Sequence, residues 1–321
     1  METAQVEIPK RKKRRFLPES IQIDSWEKIE PYFKDLEKRE INSADDLHEW
    51  MLDRSELEAV LEEDMAWRYI KMNIDTTDKA LAQAFQFFVE QIQPKTAPYD
   101  NKFDKKLVES PYLKELDQEK YFIHLRSVKK HIEIFREENI PIFTKLQTEQ
   151  QKFGAISGAQ TVKYDGEELT MQQAAKLLKS TGRKKREEVF KLISSRRLQD
   201  VDKLNDLYSE LIKMRHEVAE NANFKNFSDY KFAALGRFDY DVDDCFAFHD
   251  AIQKEIVPLV KKVDEERKSA LGLKELKPWD LDVDVTGKEP LKPVEDDEEL
   301  INKTIQCFTK IRPFFGECLS I

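Results

Sequence analysis

Residues 200–222 read DVDKLNDLYSELIKMRHEVAENA, and Leu204, Leu207, Leu211, Met214 and Val218 recur through them at three- and four-residue steps. That spacing places the five apolar side chains along one face of a helix and predicts an amphipathic helix over the whole stretch. The same pattern extends toward the N-terminus, where helices are expected at about 24–40, 43–72, 77–93, 117–137, 141–152, 170–180 and 182–198. In the second of these, Leu57, Val60, Leu61, Met65 and Ile70 form the stripe. Toward the C-terminus a helix follows Asp241 to about Lys268, with Pro258 expected to kink or interrupt it. Residues 271–295 are irregular, and a last helix starts near Asp296.

One stretch breaks this pattern. Phe153 to Thr170 read FGAISGAQTVKYDGEELT. Gln160 to Tyr164 alternates weakly, and Asp165-Gly166 is a two-residue hairpin signal. Thr170-Met171-Gln172-Gln173 then has the form of a helix cap. The expected fold is mainly α, with one small β-hairpin inserted near 154–170.

Composition agrees. Among 321 residues there are only 8 glycines and 12 prolines, against 36% charged residues. Average usage is about 7% glycine and 5% proline, so architectures built from many tight turns are disfavoured. The 54 basic and 63 acidic residues leave a net charge of −9, which offers nucleic acid no global attraction. The basic run Lys10 to Arg15 belongs to a segment, 1–23, that reads as a flexible basic tail. Cys245, Cys307 and Cys318 have neither disulfide nor metal spacing and read as free thiols in the cytoplasm. No apolar run reaches the roughly 18 residues of a membrane span.

Motifs that would carry chemistry are missing. The sequence contains no phosphate-binding glycine loop, no nucleophile elbow and no calcium loop: Asp241, Asp243 and Asp244 lack the glycine and the closing glutamate such a loop needs. His216-Glu217-Val218-Ala219-Glu220 comes nearest to the zinc signature HExxH, but a glutamate stands where the second imidazole is required. His124 and His131 share a helix face two turns apart, roughly 10 Å, too far to hold one metal between them.

Several series nevertheless go beyond composition. They include Arg15-Phe16-Leu17-Pro18 with Trp26, Ser157 to Val162 with Asp165 to Thr170, Arg183 with Arg186-Glu187 and Phe190, and Leu204-Asn205 with Leu211 and Arg215. Asn221, Asn226, Asp229-Tyr230, Arg237 and Tyr240 follow, then Phe246, Ala251-Ile252 and Val257-Pro258-Leu259. The most specific is Leu271-Gly272-Leu273 running to Leu276-Lys277-Pro278-Trp279-Asp280-Leu281 and Val283-Asp284. In this order they resemble oligoendopeptidase F, of the thimet-oligopeptidase-like zinc metallopeptidases, over about residues 12–321.

The resemblance implies a helical ellipsoid whose two lobes flank a channel, short unstructured peptides as substrates, and zinc as cofactor of the full-length enzyme. It implies that two histidines of HExxH and a later glutamate hold the zinc, while the intervening glutamate activates a bound water. No such element occurs in residues 1–321, so no catalytic or metal residue carries over and no zinc is expected on this chain. The expected organisation is a tail over 1–23, a helical region over 24–152, the hairpin over 153–170, and a helical region over 171–321 leading toward a zinc-binding domain. The chain then reads as the N-terminal portion of a peptidase, forming a channel wall, with Trp279 and Asp280 as candidate lining residues. Packing by Trp279 and capping by Asp280 are the alternative, and Arg183, Arg186, Arg215 and Arg237 are expected in ion pairs. An apolar patch around Ile305, Phe308, Ile311, Phe314 and Phe315 is expected to invite self-association. The rival reading is a naturally short, helical, non-catalytic protein that binds peptides or a partner.

Overall fold

The computed structural model describes residues 13–320, so Lys10 to Lys12, the first half of the basic run, lie outside the described residues. Six helices come first: α1 Glu30–Lys38, α2 Ala44–Ile74, α3 Lys79–Phe87, α4 Gln93–Glu109, α5 Gln118–Ile134 and α6 Asn139–Gly158. A two-stranded antiparallel ribbon follows, β1 Thr161–Tyr164 and β2 Glu167–Thr170. Then come α7 Met171–Lys176, α8 Arg183–Leu198, α9 Val201–Asn221 and α10 Phe227–Ala234. The C-terminal part holds α11 Val242–Ala251, α12 Val257–Ala270, α13 Asp297–Ile311 and α14 Pro313–Leu319.

Helix starts sit where short polar side chains can accept the otherwise unpaired first amides. Ser43, Asp78, Asp117, Asn226 and Asp296 do this for α2, α3, α5, α10 and α13. Thr170 and Gln173 form a reciprocal capping box at α7, as their spacing predicts. The hairpin pairs Thr161 with Thr170 and Tyr164 with Glu167. Its turn puts Asp165 at φ 54° and Gly166 at φ 85°, the left-handed geometry that a two-residue hairpin requires.

Two departures from the sequence reading have physical causes. First, α6 runs on through Gly154 to Gly158, so the hairpin proper occupies only 161–170. A Cβ on Gly158 would stand 3.3 Å from Thr76 Oγ1, and the glycine lets the α2–α3 turn approach the end of α6. Second, α4 occupies a stretch carrying Pro94 and Pro98, where no helix is expected. A five-residue π turn, Phe88–Ile92, precedes it and places Pro94 in a first turn, where the missing amide costs little. The same device, Ile252–Ile256 ahead of Pro258, carries α11 into α12 without an interruption.

The largest core lies among α1, α2, α4 and α5, with Phe33, Leu36, Leu47, Trp50, Leu57, Phe103 and Leu107 each no more than 2% exposed. Trp50 Nε1 donates to the Leu36 carbonyl at 2.9 Å. Lys106 Nζ donates to the carbonyls of Leu36, Glu37 and Arg39 at 2.8, 3.0 and 2.6 Å. Together they satisfy the last carbonyls of α1, and the ammonium also lies 5.5 Å from the Trp50 ring. The part of the 1–23 segment that is described joins this core: Glu56 accepts the amides of Arg15, Phe16 and Leu17, and Leu17 and Ile23 are buried.

A second cluster joins α6, α9 and α10 around Leu146, Leu211, Met214, Val218 and Tyr230, and a third joins the hairpin to α7 and α8. Among the described residues, α11, α12 and α13 bury none of theirs. Phe246, Phe248, Leu259 and Val263 stand exposed there. From the patch expected near the C-terminus, Phe308, Ile311 and Phe315 are exposed as well. No described helix is long and apolar enough to cross a membrane.

Trp50→Ala removes the largest fully buried side chain together with a buried hydrogen bond. It is expected to cost about 3–5 kcal/mol, read as a lower urea midpoint.

Candidate functional site

Between α12 and α13 the chain crosses the surface as an irregular strap whose ordered turn is Pro278–Asp280. Asp280 is fully buried, and its carboxylate is saturated with donors. Arg183 Nε reaches Oδ1 at 3.0 Å and Arg183 Nη2 reaches Oδ2 at 2.8 Å. Arg186 Nη2 donates to Oδ1 at 3.0 Å, and the Lys277 amide donates to Oδ2 at 3.0 Å. Arg186 also donates to the carbonyls of Trp279, Ser180 and Thr181. Arg267 Nη1 holds the carbonyl of Val283 at 2.7 Å farther along the strap. Burial pushes the Asp280 carboxyl up, but Arg183, the Lys277 amide and Arg186 outweigh it and hold it at about 2.

Asp280 therefore clamps the strap to α8 and caps its turn, which is the alternative that sequence reading held beside channel lining. Trp279 packs against Phe190 at 5.6 Å, with Lys191 Nζ 5.8 Å from its ring. It is partly exposed, while its indole nitrogen is buried without a hydrogen-bond partner among the described residues. Of the four arginines expected in ion pairs, Arg183 and Arg186 make them. The other two are placed differently: Arg215 sits 5.9 Å from the Phe227 ring, and Arg237 sits 5.0 Å from Phe232 and 5.9 Å from Tyr240. They lie over aromatic faces because the folded helix packing brings rings, not carboxylates, to their ends.

Candidate metal residues come together poorly. His216 Nε2 and Glu220 Oε1 are 3.3 Å apart on an exposed helix face, an ordinary i, i+4 contact. Among the described residues no group of three or more His, Cys, Asp or Glu is placed to hold a metal ion.

A cluster that sequence reading missed lies between α2, α4 and α5. Arg54 pairs with Glu58 at 2.6 Å and with Asp104 at 2.7 Å, and Arg54 Nη1 is buried without a partner among the described residues. Asp100, one turn before Asp104, has its carboxyl pushed up to about 7 by burial and then by Glu58, against the opposing pull of Arg54. Asp104 adds to the upward push and Thr96 opposes it weakly. His124 of α5 faces the same group and is lowered first by burial and next by Arg54. The i, i+4 spacing of Asp100 and Asp104 was the available signal, in a stretch where no helix is expected.

The Peptidase M3 N-terminal domain family matches residues 16–135, and Peptidase family M3 matches residues 176–304. The two matches together cover well over half of the chain. The chain belongs to peptidase family M3.

Solved structures share this family M3 fold. One, described as a putative oligoendopeptidase F, superposes with a TM-score of 0.88 at 22% identity, over 94% of this chain and 53% of its own. PZ peptidase A with an inhibitor gives 0.86 at 22%, over 94% and 54%. A putative oligoendopeptidase F from Bacillus anthracis str. Ames gives 0.85 at 18%, over 94% and 55%. The M3 chain thus spans about half the length of the solved structures it matches. No curated protein matches it.

Two outcomes test the geometry of this M3 chain. Asp280→Ala leaves Arg186 buried without its anion and is expected to cost about 3–5 kcal/mol at pH 7. Because the folded carboxyl sits below its unfolded value, the contribution of Asp280 is present at neutral pH and fades as pH falls from about 4 through 2, which urea titration across that range checks. Asp100 has the opposite sign: its folded carboxyl sits above the unfolded value, so stability falls as pH rises through about 7. Asp100→Asn is therefore expected to raise the melting temperature at pH 8 and to lose that advantage progressively as pH falls from about 7 to about 4.

Proposed function

We propose that this chain is the N-terminal portion of a zinc-dependent oligoendopeptidase that hydrolyses peptide bonds in short unstructured peptides in the cytoplasm. In this reading it forms one wall of the substrate channel, and the catalytic centre belongs to the other half of the enzyme. What carries the reading is family membership over a span of about half its structural relatives, combined with the lack of a zinc ligand set among the described residues. The partly exposed ring of Trp279 is the group proposed to face peptide, with Asp280 fixing its position from behind. No residue of this chain takes part in the zinc-dependent step.

The test is incubation of the purified chain with a fluorescence-quenched octapeptide, with zinc and with a chelator. No cleavage is expected under either condition, whereas chelator-sensitive cleavage would overturn the reading. Peptide binding followed by anisotropy is expected to weaken about fivefold in Trp279→Ala, the ~1 kcal/mol of a modest contact residue.

The exposed apolar side chains of α11 to α14 support self-association of the isolated chain. Light scattering should then show an average mass that climbs with concentration, and a constant monomer mass would remove the idea.

A further inference from the structure

A cavity of about 320 Å³ opens between α4, α6, α9 and α10, well away in sequence from the strap. It is the size of the smaller specific ligand sites, which start at roughly 300 Å³. Two observations give it chemical character. Gln93 and Gln147 line it from α4 and α6, and each has a buried side-chain oxygen without a hydrogen-bond partner among the described residues. Buried acceptors of this kind are costly unless something donates to them. Arg215 of α9 and Lys231 of α10 line the same cavity, and neither has a carboxylate partner within 4 Å among the described residues. In a chain with 63 acidic residues, two cations on one cavity without an acid beside them leave a place for an external anion.

The remaining wall is aromatic. Phe143 and Phe227 line the cavity, and both stack on the buried ring of Tyr230, at 6.5 and 5.8 Å. A packed ring behind them keeps these faces in place before any ligand arrives. The chemistry required of a ligand is thus threefold: an anionic end for Arg215 and Lys231, N–H donors for Gln93 and Gln147, and an apolar group for the phenylalanines. Inorganic phosphate meets only the first requirement, and a fatty acid lacks the donors.

We propose that this cavity binds a small carboxylic acid bearing N–H groups, of the size of an amino acid or a dipeptide. The site stands apart from the channel-wall reading and does not rest on it.

Isothermal titration of the chain with glycyl-L-phenylalanine tests the proposal, with its C-terminal amide and with inorganic phosphate as comparisons. The dipeptide is expected to bind in the micromolar to millimolar range. The amide is expected to bind at least about tenfold more weakly, because a charge-assisted hydrogen bond is lost. Arg215→Gln should weaken the dipeptide to a similar degree, and Ala97→Leu, which fills the cavity, should abolish binding. Both variants are to keep the parent's circular dichroism and urea midpoint; Lys231→Gln, on the exposed α10 surface, serves as the second cation variant if Arg215→Gln misfolds. Trp279→Ala should leave the dipeptide affinity unchanged, which separates this site from the strap. Equal affinity for acid and amide, equal affinity for phosphate, an effect of Trp279→Ala, or no binding up to about 10 mM would each overturn the proposal.

Discussion

One buried carboxylate holds the least regular part of the molecule in place. The strap between α12 and α13 has no helix or sheet ladder of its own beyond a single turn, so its course depends on side chains. Asp280 accepts from two arginines and a backbone amide, and Arg186 spends its remaining donors on the carbonyls on either side of it. Such an arrangement offsets the desolvation cost of a buried ion pair, because few donors are left without an acceptor. Arg183 is 43% exposed, so the second positive charge keeps contact with water. The gain is a defined route: Asp280 and Trp279 tie the strap to α8, and α8 in turn shares one small core with the hairpin and α7.

Most of the architecture was legible because helices report themselves through the period of their apolar residues. The α9 stripe is the clearest case, since Leu207, Leu211, Met214 and Val218 are all buried on one side. Asp165-Gly166 was equally plain, since few dipeptides accept two left-handed residues in succession. The errors came from residues whose local preference was overruled. No helix is expected over 94–109, yet a widened π turn seats Pro94 in an opening turn and α4 proceeds. Gly154 and Gly158 read as hairpin approach, yet α6, packed along α9, runs on through both, at a cost of about 1 kcal/mol each relative to alanine.

The candidate site was legible only in part. Leu276 to Leu281 stood out as a segment, but nothing in its residue types says that the aspartate faces inward and the tryptophan partly outward. That information lies in the partners, Arg183 and Arg186, which are about ninety residues away in sequence. The Arg54 cluster was invisible for the same reason, as its members come from three helices and any one carboxylate is anonymous among so many. The arginines over aromatic rings make the converse point. A charge in the sequence suggests an opposite charge nearby, whereas the fold can just as well supply a ring face.

The uncovered helices α11, α12 and α13 have a kinetic consequence. With no side chain buried among the described residues, their amides are guarded by backbone bonds within each helix and by little else. Opening one turn there disturbs no core, so hydrogen exchange should proceed through local fraying, while amides around Trp50 wait for far larger excursions. A single chain thus runs on two clocks, fast in α11, α12 and α13 and slow around α2, while the strap anchored by Asp280 is a guarded island between two of the fast helices.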